Sequence, residues 1–285
     1  MRYAASCGMI DQQVCDRGAG IAKTFPQNGK LIDMCTLVIL RRPEHPWPVV
    51  IAANRDEMID REWRAPAHHW PDRPETVGGL DVLAGGSWLA VNEYGVAAGI
   101  LNRVGSLGPL AGRRSRGELV LEAVDHADAR IAAEALSAIE PRSYRPFNLI
   151  VADERDAFWL RHADPSGVMP VSARPLPVGL SMITAGDLDD GDSTRIRDYL
   201  PRFRAAPPPD PERGDWAAWE ALLACADSDP ASGPRGAMNF VTPDGFATVS
   251  SALIALPAIG RPGVRPVFRF AARRPTPSPW QEIAV

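Results

Sequence analysis

Two short apolar runs on either side of a proline-flanked turn set the tightest limit on how this 285-residue chain can fold. The first, Met34-Cys35-Thr36-Leu37-Val38-Ile39-Leu40, opens with Met-Cys. The second, Val49 to Ala53, runs straight into the polar cluster Asn54-Arg55-Asp56-Glu57. Runs of about four to eight residues rich in Val and Ile read as buried strands. The intervening Arg42-Pro43-Glu44-His45-Pro46 predicts a turn, and the two strands then pair as a hairpin. That pairing brings Cys35 to the far end of the second strand, beside Asn54, Arg55 and Asp56. A thiol, a guanidinium and a carboxylate gathered at one sheet end form a candidate site.

Composition removes several function classes. The net charge of −4 and the lack of a basic stripe argue against nucleic acid as a partner. No apolar run approaches the ~20 residues of a membrane-spanning helix, so stable membrane insertion is not expected. The four cysteines, Cys7, Cys15, Cys35 and Cys225, contain no Cys-x-x-Cys pair, and no metal site is expected. Residues 1–33 lack the continuous apolar core of a signal peptide, so a cytoplasmic location with free thiols is expected. That stretch has scattered Gly, Gln, Asp and Ser without periodicity, and reads as a loosely attached extension ahead of a single domain over 34–285. Two readings of it remain open. Met34 is the true start, which is preferred because Met-Cys suits removal of the initiator methionine, or residues 1–34 are a propeptide whose removal exposes Cys35.

Along the rest of the chain, 58–79 reads as a proline-bearing loop, with His68-His69 not placed for a shared metal and Trp63 and Trp70 lining a pocket. Residues 80–102 read as three strands, with turns at Gly85-Gly86 and Asn92-Glu93-Tyr94-Gly95. Ser115-Arg116-Gly117-Glu118 matches a capping box and predicts a helix. Asp128 starts a second helix toward Ile139. Strands are predicted at Phe147–Val151, Phe158–Arg161 and Val178–Thr184, then a helix capped by Asp192 or Ser193 and another over Trp216–Ala226. Met238–Thr242, Ala247–Leu256 and Pro266–Phe270 close the set. Strands first, helices in the middle and strands last is an α+β order.

The ordered motifs then resemble a known family. Asn54-Arg55-Asp56-Glu57 reproduces the signature of the NRDE family, also called the transport and Golgi organisation 2 family. Its members typically begin Met-Cys followed by a hydrophobic strand, as at Met34-Cys35. Gly85-Gly86-Ser87-Trp88-Leu89-Ala90-Val91-Asn92-Glu93-Tyr94-Gly95-Val96 is similar to the family's second block. The stretch from Asn92 through Gly99-Ile100-Leu101-Asn102 also resembles bile salt hydrolases and penicillin V acylases. The resemblance implies an α+β, four-layer αββα sandwich of the N-terminal nucleophile (Ntn) hydrolase type.

It also implies a chemistry. Were Cys35 the first residue, its α-amine, with a reference pKa of ~7.7–8.0, would serve as a base beside its own thiol, without a histidine and without a cofactor. Arg55 would favour the thiolate or grip a substrate carboxylate. Asp56 would orient the α-ammonium, as an Asp at about this distance does in similar Ntn hydrolases. Asn102 would donate its amide N–H to an oxyanion. The implied reaction is hydrolysis of a linear or cyclic amide through a thioester. Each residue also has a structural reading: Cys35 as a small hydrophobe, Arg55 and Asp56 as an ion pair, Asn54 as a turn cap, Asn102 as a strand end.

Two departures stand out. Many members carry Leu-Ser-Asn where this chain has Leu180-Ser181-Met182, and Gly-Thr-Arg-Ser-Ser where it has Ala247-Thr248-Val249-Ser250-Ser251. Arg161, Arg195 or Arg197 are candidates to replace the missing arginine. A non-enzymatic alternative follows from eukaryotic relatives linked to haem mobilisation and to acyl-lipid or acyl-coenzyme A handling. Trp63, Trp70, Trp88 and Met182 would then line an apolar pocket, with Arg55 holding a ligand carboxylate or phosphate; in either reading Asn54, Trp88 and Met182 are the residues expected to contact a substrate or ligand. A redox-sensitive Cys35, resolved by Cys7 or Cys15, is a third option.

Overall fold

The computed structural model describes residues 34–285; the expected N-terminal extension, with Cys7 and Cys15, lies outside the described residues. The hairpin forms as the two apolar runs require. Strands β1 (Thr36–Arg41) and β2 (Val49–Met58) pair antiparallel, with Thr36 opposite Asn54 and Arg41 opposite Val49. Strands β3 (Trp63–Ala67), β4 (Thr76–Asp81), β5 (Leu89–Asn92) and β6 (Ala97–Asn102) follow. Next come helices α1 (Gly117–Val124) and α2 (Ala129–Ser137), then strands β7 (Phe147–Ala152), β8 (Ala157–His162), β9 (Ser172–Pro175) and β10 (Gly179–Ile183). Helices α3 (Thr194–Ala205) and α4 (Ala217–Ala224) precede β11 (Phe246–Leu256), β12 (Val267–Ala272) and β13 (Gln281–Ile283).

The strands build two antiparallel sheets, one ordered β10-β1-β2-β11-β12-β13 and the other β3-β4-β5-β6-β7-β8-β9. Alternation along each strand then decides what lies between the layers. Leu37, Ile39 and Ile51 of the first sheet meet Val77, Leu89, Val91 and Ile150 of the second in a core between the sheets. The opposite face of the first sheet, with Val38, Val50 and Leu253, packs on α3 and α4 through Ile196, Tyr199, Phe203 and Trp219. The opposite face of the second, with Ala98, Leu149 and Val151, packs on α1 and α2 through Leu119, Val120, Ala133 and Leu136. The result is the expected αββα sandwich. Among the described residues, no helix is long and apolar enough to cross a membrane.

Several local expectations need correction. The 58–79 stretch contains β3 and the start of β4. A bulge between Arg64 and Ala67 allows β3 to carry Pro66 at the sheet edge. The capping box does not form: Arg116 is the N-cap, and Glu118 pairs with Arg114 at 2.7 Å instead of reaching back. Met238–Thr242 is not a strand and contributes only a bridge from Val241 to Ala247. The short edge strands β9 and β13 were not expected. Asp128 and Ser193 do cap α2 and α3, accepting bonds from Arg130 and Ile131 N–H, and from Ile196 N–H, respectively.

Candidate functional site

Strand alternation splits the signature between two faces. Ile51, Ala53 and Arg55 point between the sheets, as does Cys35, which packs against the inter-sheet core. Asn54 and Asp56 point the other way, toward the α3/α4 layer. The expectation that Arg55 and Asp56 act side by side is therefore corrected: adjacent strand residues face opposite directions. The two residues have different partners.

Behind the sheet, Asp56 is buried in a polar knot. Its Oδ2 accepts from Arg195 Nη1 at 2.8 Å, and its Oδ1 accepts from Thr248 Oγ1 at 2.8 Å. Both side chains of the Asp56–Arg195 pair are 0% exposed. Arg195 also donates to Thr36 Oγ1 at 2.8 Å, to the Arg235 carbonyl at 2.7 Å and to the Met34 carbonyl at 3.4 Å. Of the three arginines considered as replacements for the missing one, Arg195 is thus the one that reaches Asp56. Burial pushes the Asp56 carboxyl up, opposed by the charge and hydrogen bonds of Arg195 and by Thr248.

Asn54, expected to contact substrate, is a staple instead. Its Nδ2 donates to the Leu223 and Met238 carbonyls at 2.9 and 2.8 Å, and its Oδ1 accepts from Ser251 Oγ at 2.6 Å. Thr248 and Ser251 are three apart on β11, which would normally place them on opposite faces. A bulge at Val249 shifts the register between Thr248 and Ser250. The extra residue lets both hydroxyls face the same way, onto Asp56 and Asn54, which are two apart on β2.

Between the sheets, Cys35 Sγ lies 3.4 Å from the Asp56 carbonyl oxygen and accepts from the Asp56 N–H at 3.3 Å. It borders a cavity of about 450 Å³, which Arg55, Trp88 and Asn102 also line. The Arg55 guanidinium sits 4.5 Å over the Trp88 ring. It pairs with Asp81 at 3.4 Å and Glu57 at 3.7 Å, and its Nη1 has no hydrogen-bond partner. The Asn102 amide, at the end of β6, is not committed to another group among the described residues. Burial and the nearby Asp56 charge push the Cys35 thiol up to about 12, with the Asp56 N–H and Arg55 pulling the other way. Arg55 therefore favours the thiolate, but burial wins while the chain is continuous through Met34.

Three expected ligand contacts fall elsewhere. Met182 is fully buried in the core beneath α3 and α4, because the even-numbered residues of β10 face that layer. Trp63 packs edge-on against Trp88 and Phe270, beside the cavity rather than on its wall. Trp70 is tied by its indole N–H to the Gly85 carbonyl at 2.8 Å, and neither it nor His68 and His69 line the cavity. Sequence reasoning missed the cavity's arginines, Arg61, Arg113, Arg114, Arg116 and Arg145. The run Arg113-Arg114-Ser115-Arg116 was a visible signal, whereas Arg145 joins it only through the fold.

The fold that carries this site is similar to known structures. The fold is similar to that of a Caenorhabditis elegans ortholog of N-acylethanolamine-hydrolyzing acid amidase, at 13% identity over 80% of this chain and 94% of that one, with a TM-score of 0.50. Penicillin V acylase from Agrobacterium tumefaciens matches at 16% identity, over 87% of this chain and 86% of that one, with a TM-score of 0.49. A variant of conjugated bile acid hydrolase from Clostridium perfringens matches at 10% identity, over 87% of this chain and 92% of that one, with a TM-score of 0.49. At these identities the likeness shows the fold alone, which is Ntn-hydrolase-like, with two antiparallel sheets and few helices. No curated protein matches in sequence. The profile of the Transport and Golgi organisation 2 family matches residues 34–186, which carry Met34-Cys35, the Asn54–Glu57 signature and the stretch from Gly85 to Asn102. The chain belongs to the Transport and Golgi organisation 2 family.

Proposed function

We propose that this chain is a cysteine amidohydrolase that acts once the α-amine of Cys35 is free. The observation that carries the reading is the position of Met34. Arg195 Nη1 donates both to Asp56 Oδ2 and to the Met34 carbonyl, so one guanidinium nitrogen links the buried carboxylate to the Met34–Cys35 peptide. Freed from Met34, the Cys35 nitrogen would be an α-amine on the residue whose sulfur borders the cavity. The neutral amine then takes the thiol proton, and sulfur attacks the amide carbonyl. Asn102 stabilises the oxyanion, and the departing amine takes the proton from the α-ammonium. Water, deprotonated by the amine, cleaves the thioester, releasing the carboxylate and restoring the thiol. The α-ammonium also supplies the positive charge that the buried thiol lacks, lowering its pKa.

The test is a chain beginning at Cys35, verified by intact mass and given a panel of N-acyl amides and lactams. An acyl adduct on Cys35 followed by product release is expected, with neither in Cys35→Ala. Absence of both adduct and product across the panel would reject the reading.

A second reading is favoured by the high thiol pKa and by the arginines of the cavity. In it the chain, still continuous through Met34, binds a small molecule without chemistry, with haem and acyl-lipid or acyl-coenzyme A as the candidates. The position of His68 and His69 away from the cavity weighs against haem ligated there by those two residues. Ligand binding that is unchanged in Cys35→Ala, with no turnover in the chain beginning at Cys35, is the outcome this reading expects.

A further inference from the structure

The charges lining the cavity do not balance. Asp81 and Glu57 are taken up by Arg55 and Arg61, with Arg61 Nε 2.8 Å from Asp81. Asp56 is taken up by Arg195. Arg114 pairs with Glu118 and Glu122. Arg113, Arg116 and Arg145 remain, and among the described residues none of them forms an ion pair with a carboxylate. Their hydrogen bonds go to neutral oxygens. Arg116 Nη1 donates to the Ser106 carbonyl, to Ser106 Oγ and to the Pro146 carbonyl at 2.9, 2.9 and 3.0 Å. Arg145 donates to the carbonyls of Leu107, Gly108 and Gly105, holding the loop that borders the cavity. Arg113 donates to the Arg142 carbonyl.

Carbonyl bonds orient a guanidinium without cancelling its charge. Like charges gather on this wall, and both Arg145 and Arg61 act against the charge on Arg116. Burial and the neighbouring Arg145 already lower Arg116 to about 10, and the Cys35 sulfur and Glu57 act electrostatically on the same group. Arg116 and Cys35 line the same cavity. Arg55, 6% exposed, adds a guanidinium whose Nη1 has no partner. Helix α1 also begins on this wall, at Gly117, with its positive end there. At the rim, the exposed Leu83 and Leu110 give an apolar edge.

We propose that Arg113, Arg116 and Arg145 form a subsite for a phosphate or diphosphate ester, so that the ligand of this cavity is a phosphorylated small molecule whose uncharged part extends toward Cys35. A single carboxylate would leave most of the wall's charge uncompensated. A phosphate carries up to two negative charges and three acceptor oxygens, and a diphosphate more, matching several guanidiniums at once. This inference rests on the cavity being a ligand site, but not on amide hydrolysis.

The experiment is calorimetric titration of inorganic pyrophosphate into the full chain carrying Cys35→Ala, which removes the nucleophile and leaves the wall intact. Inorganic phosphate and citrate are titrated in parallel. Saturable one-to-one binding of pyrophosphate is expected, at least about tenfold tighter than citrate, weakening as salt screens the charges. Arg116→Gln and Arg113→Gln should each weaken it by about tenfold. Arg116 also braces the loop, so its variant is read only where its circular dichroism matches the parent; where it does not, Arg113→Gln alone is decisive. Absence of saturable binding, citrate binding as tightly as pyrophosphate, or pyrophosphate affinity unchanged in Arg113→Gln would overturn the proposal. Failure of the amidohydrolase reading would instead appear as no acyl adduct in the chain beginning at Cys35, with pyrophosphate binding intact.

Discussion

Arg195→Met isolates the polar knot behind the signature. The substitution keeps a comparable apolar stem while deleting the donors to Asp56, Thr36 and the Arg235 carbonyl, all within 2.8 Å. It leaves a carboxylate that is 0% exposed without its counter-charge. Breaking a buried pair from one side costs about 3–5 kcal/mol. For a chain of this size that corresponds to roughly 6–20 °C in melting temperature. Burial already raises the Asp56 carboxyl in the intact protein, and Arg195 is the main group opposing it. Without Arg195 the carboxyl rises further. A carboxyl whose folded pKa exceeds its unfolded value of ~3.9 binds more protons when folded, so stability falls as pH rises between the two. The deficit of Arg195→Met should therefore grow from pH 4 toward pH 7. Adding Asp56→Asn removes the stranded charge and should recover about 1–3 kcal/mol. Urea unfolding followed by tryptophan fluorescence at both pH values measures all three variants. A loss below about 1 kcal/mol, or one that does not change with pH, would refute the view that Asp56 is a buried charge held by Arg195.

Other expectations follow from the same geometry. With Met34 retained, Cys35 should react slowly with iodoacetamide at pH 7 and accelerate only toward the high pKa of about 12, whereas a chain beginning at Cys35 should react at markedly lower pH; equal rates for the two forms at pH 7 would contradict this. Asn54→Ala removes the side-chain donor to the Leu223 carbonyl, while Thr248 Oγ1 still donates to the Met238 carbonyl and Arg273 Nε to Ser251 Oγ, and should cost about 1–3 kcal/mol in denaturant unfolding. Asn102→Ala should barely change stability but lower amide turnover by about 10²–10³-fold in the chain beginning at Cys35; a kcat within a factor of about three of the parent would remove Asn102 from the oxyanion role. Gly79→Ala would place a Cβ 2.2 Å from the Trp88 indole, so it should destabilise by about 1–3 kcal/mol and shift the Trp88 fluorescence as the ring leaves Arg55.

What the sequence revealed depended on how local the cause was. The hairpin was legible because its two strands and turn lie within 25 contiguous residues, 34–58, and the apolar pattern of each strand is strong. Cys35 accordingly falls beside Asp56, as its pairing requires. Strand alternation is equally readable, and it divides Arg55 from Asp56, so a site expected on one face proves to be two, on opposite faces. The resemblance led to Asn54 and Met182 being expected as ligand contacts, but their burial depends on α3, α4 and the loop after α4, which the strand pattern does not specify. Val249 reads as the loss of a family arginine. Its structural effect is a bulge that aligns Thr248 and Ser251, and a bulge leaves no trace in composition. The cavity arginines escape a sequence reading because Arg113 and Arg116 sit in a loop, and Arg145 reaches them only after β6 and β7 pair.

The pairing of β2 with β11 has a consequence for how the protein is made. All eleven residues of β11 are buried, and the strand lies between β2 and β12. The Thr248–Asp56 bond spans 192 positions in the chain, and the Ser251–Asn54 bond spans 197. At ribosomal rates of about 5–20 residues per second, β11 emerges roughly 10–40 s after the strand it must join. During that interval β2 has β1 on one side and an open edge on the other, the arrangement most prone to pairing with the wrong chain. Asn54 and Asp56 wait through the same interval without the hydroxyls that satisfy them. A nascent chain stalled before residue 246 therefore carries the whole Asn-Arg-Asp-Glu signature but lacks the strand that completes its hydrogen bonding.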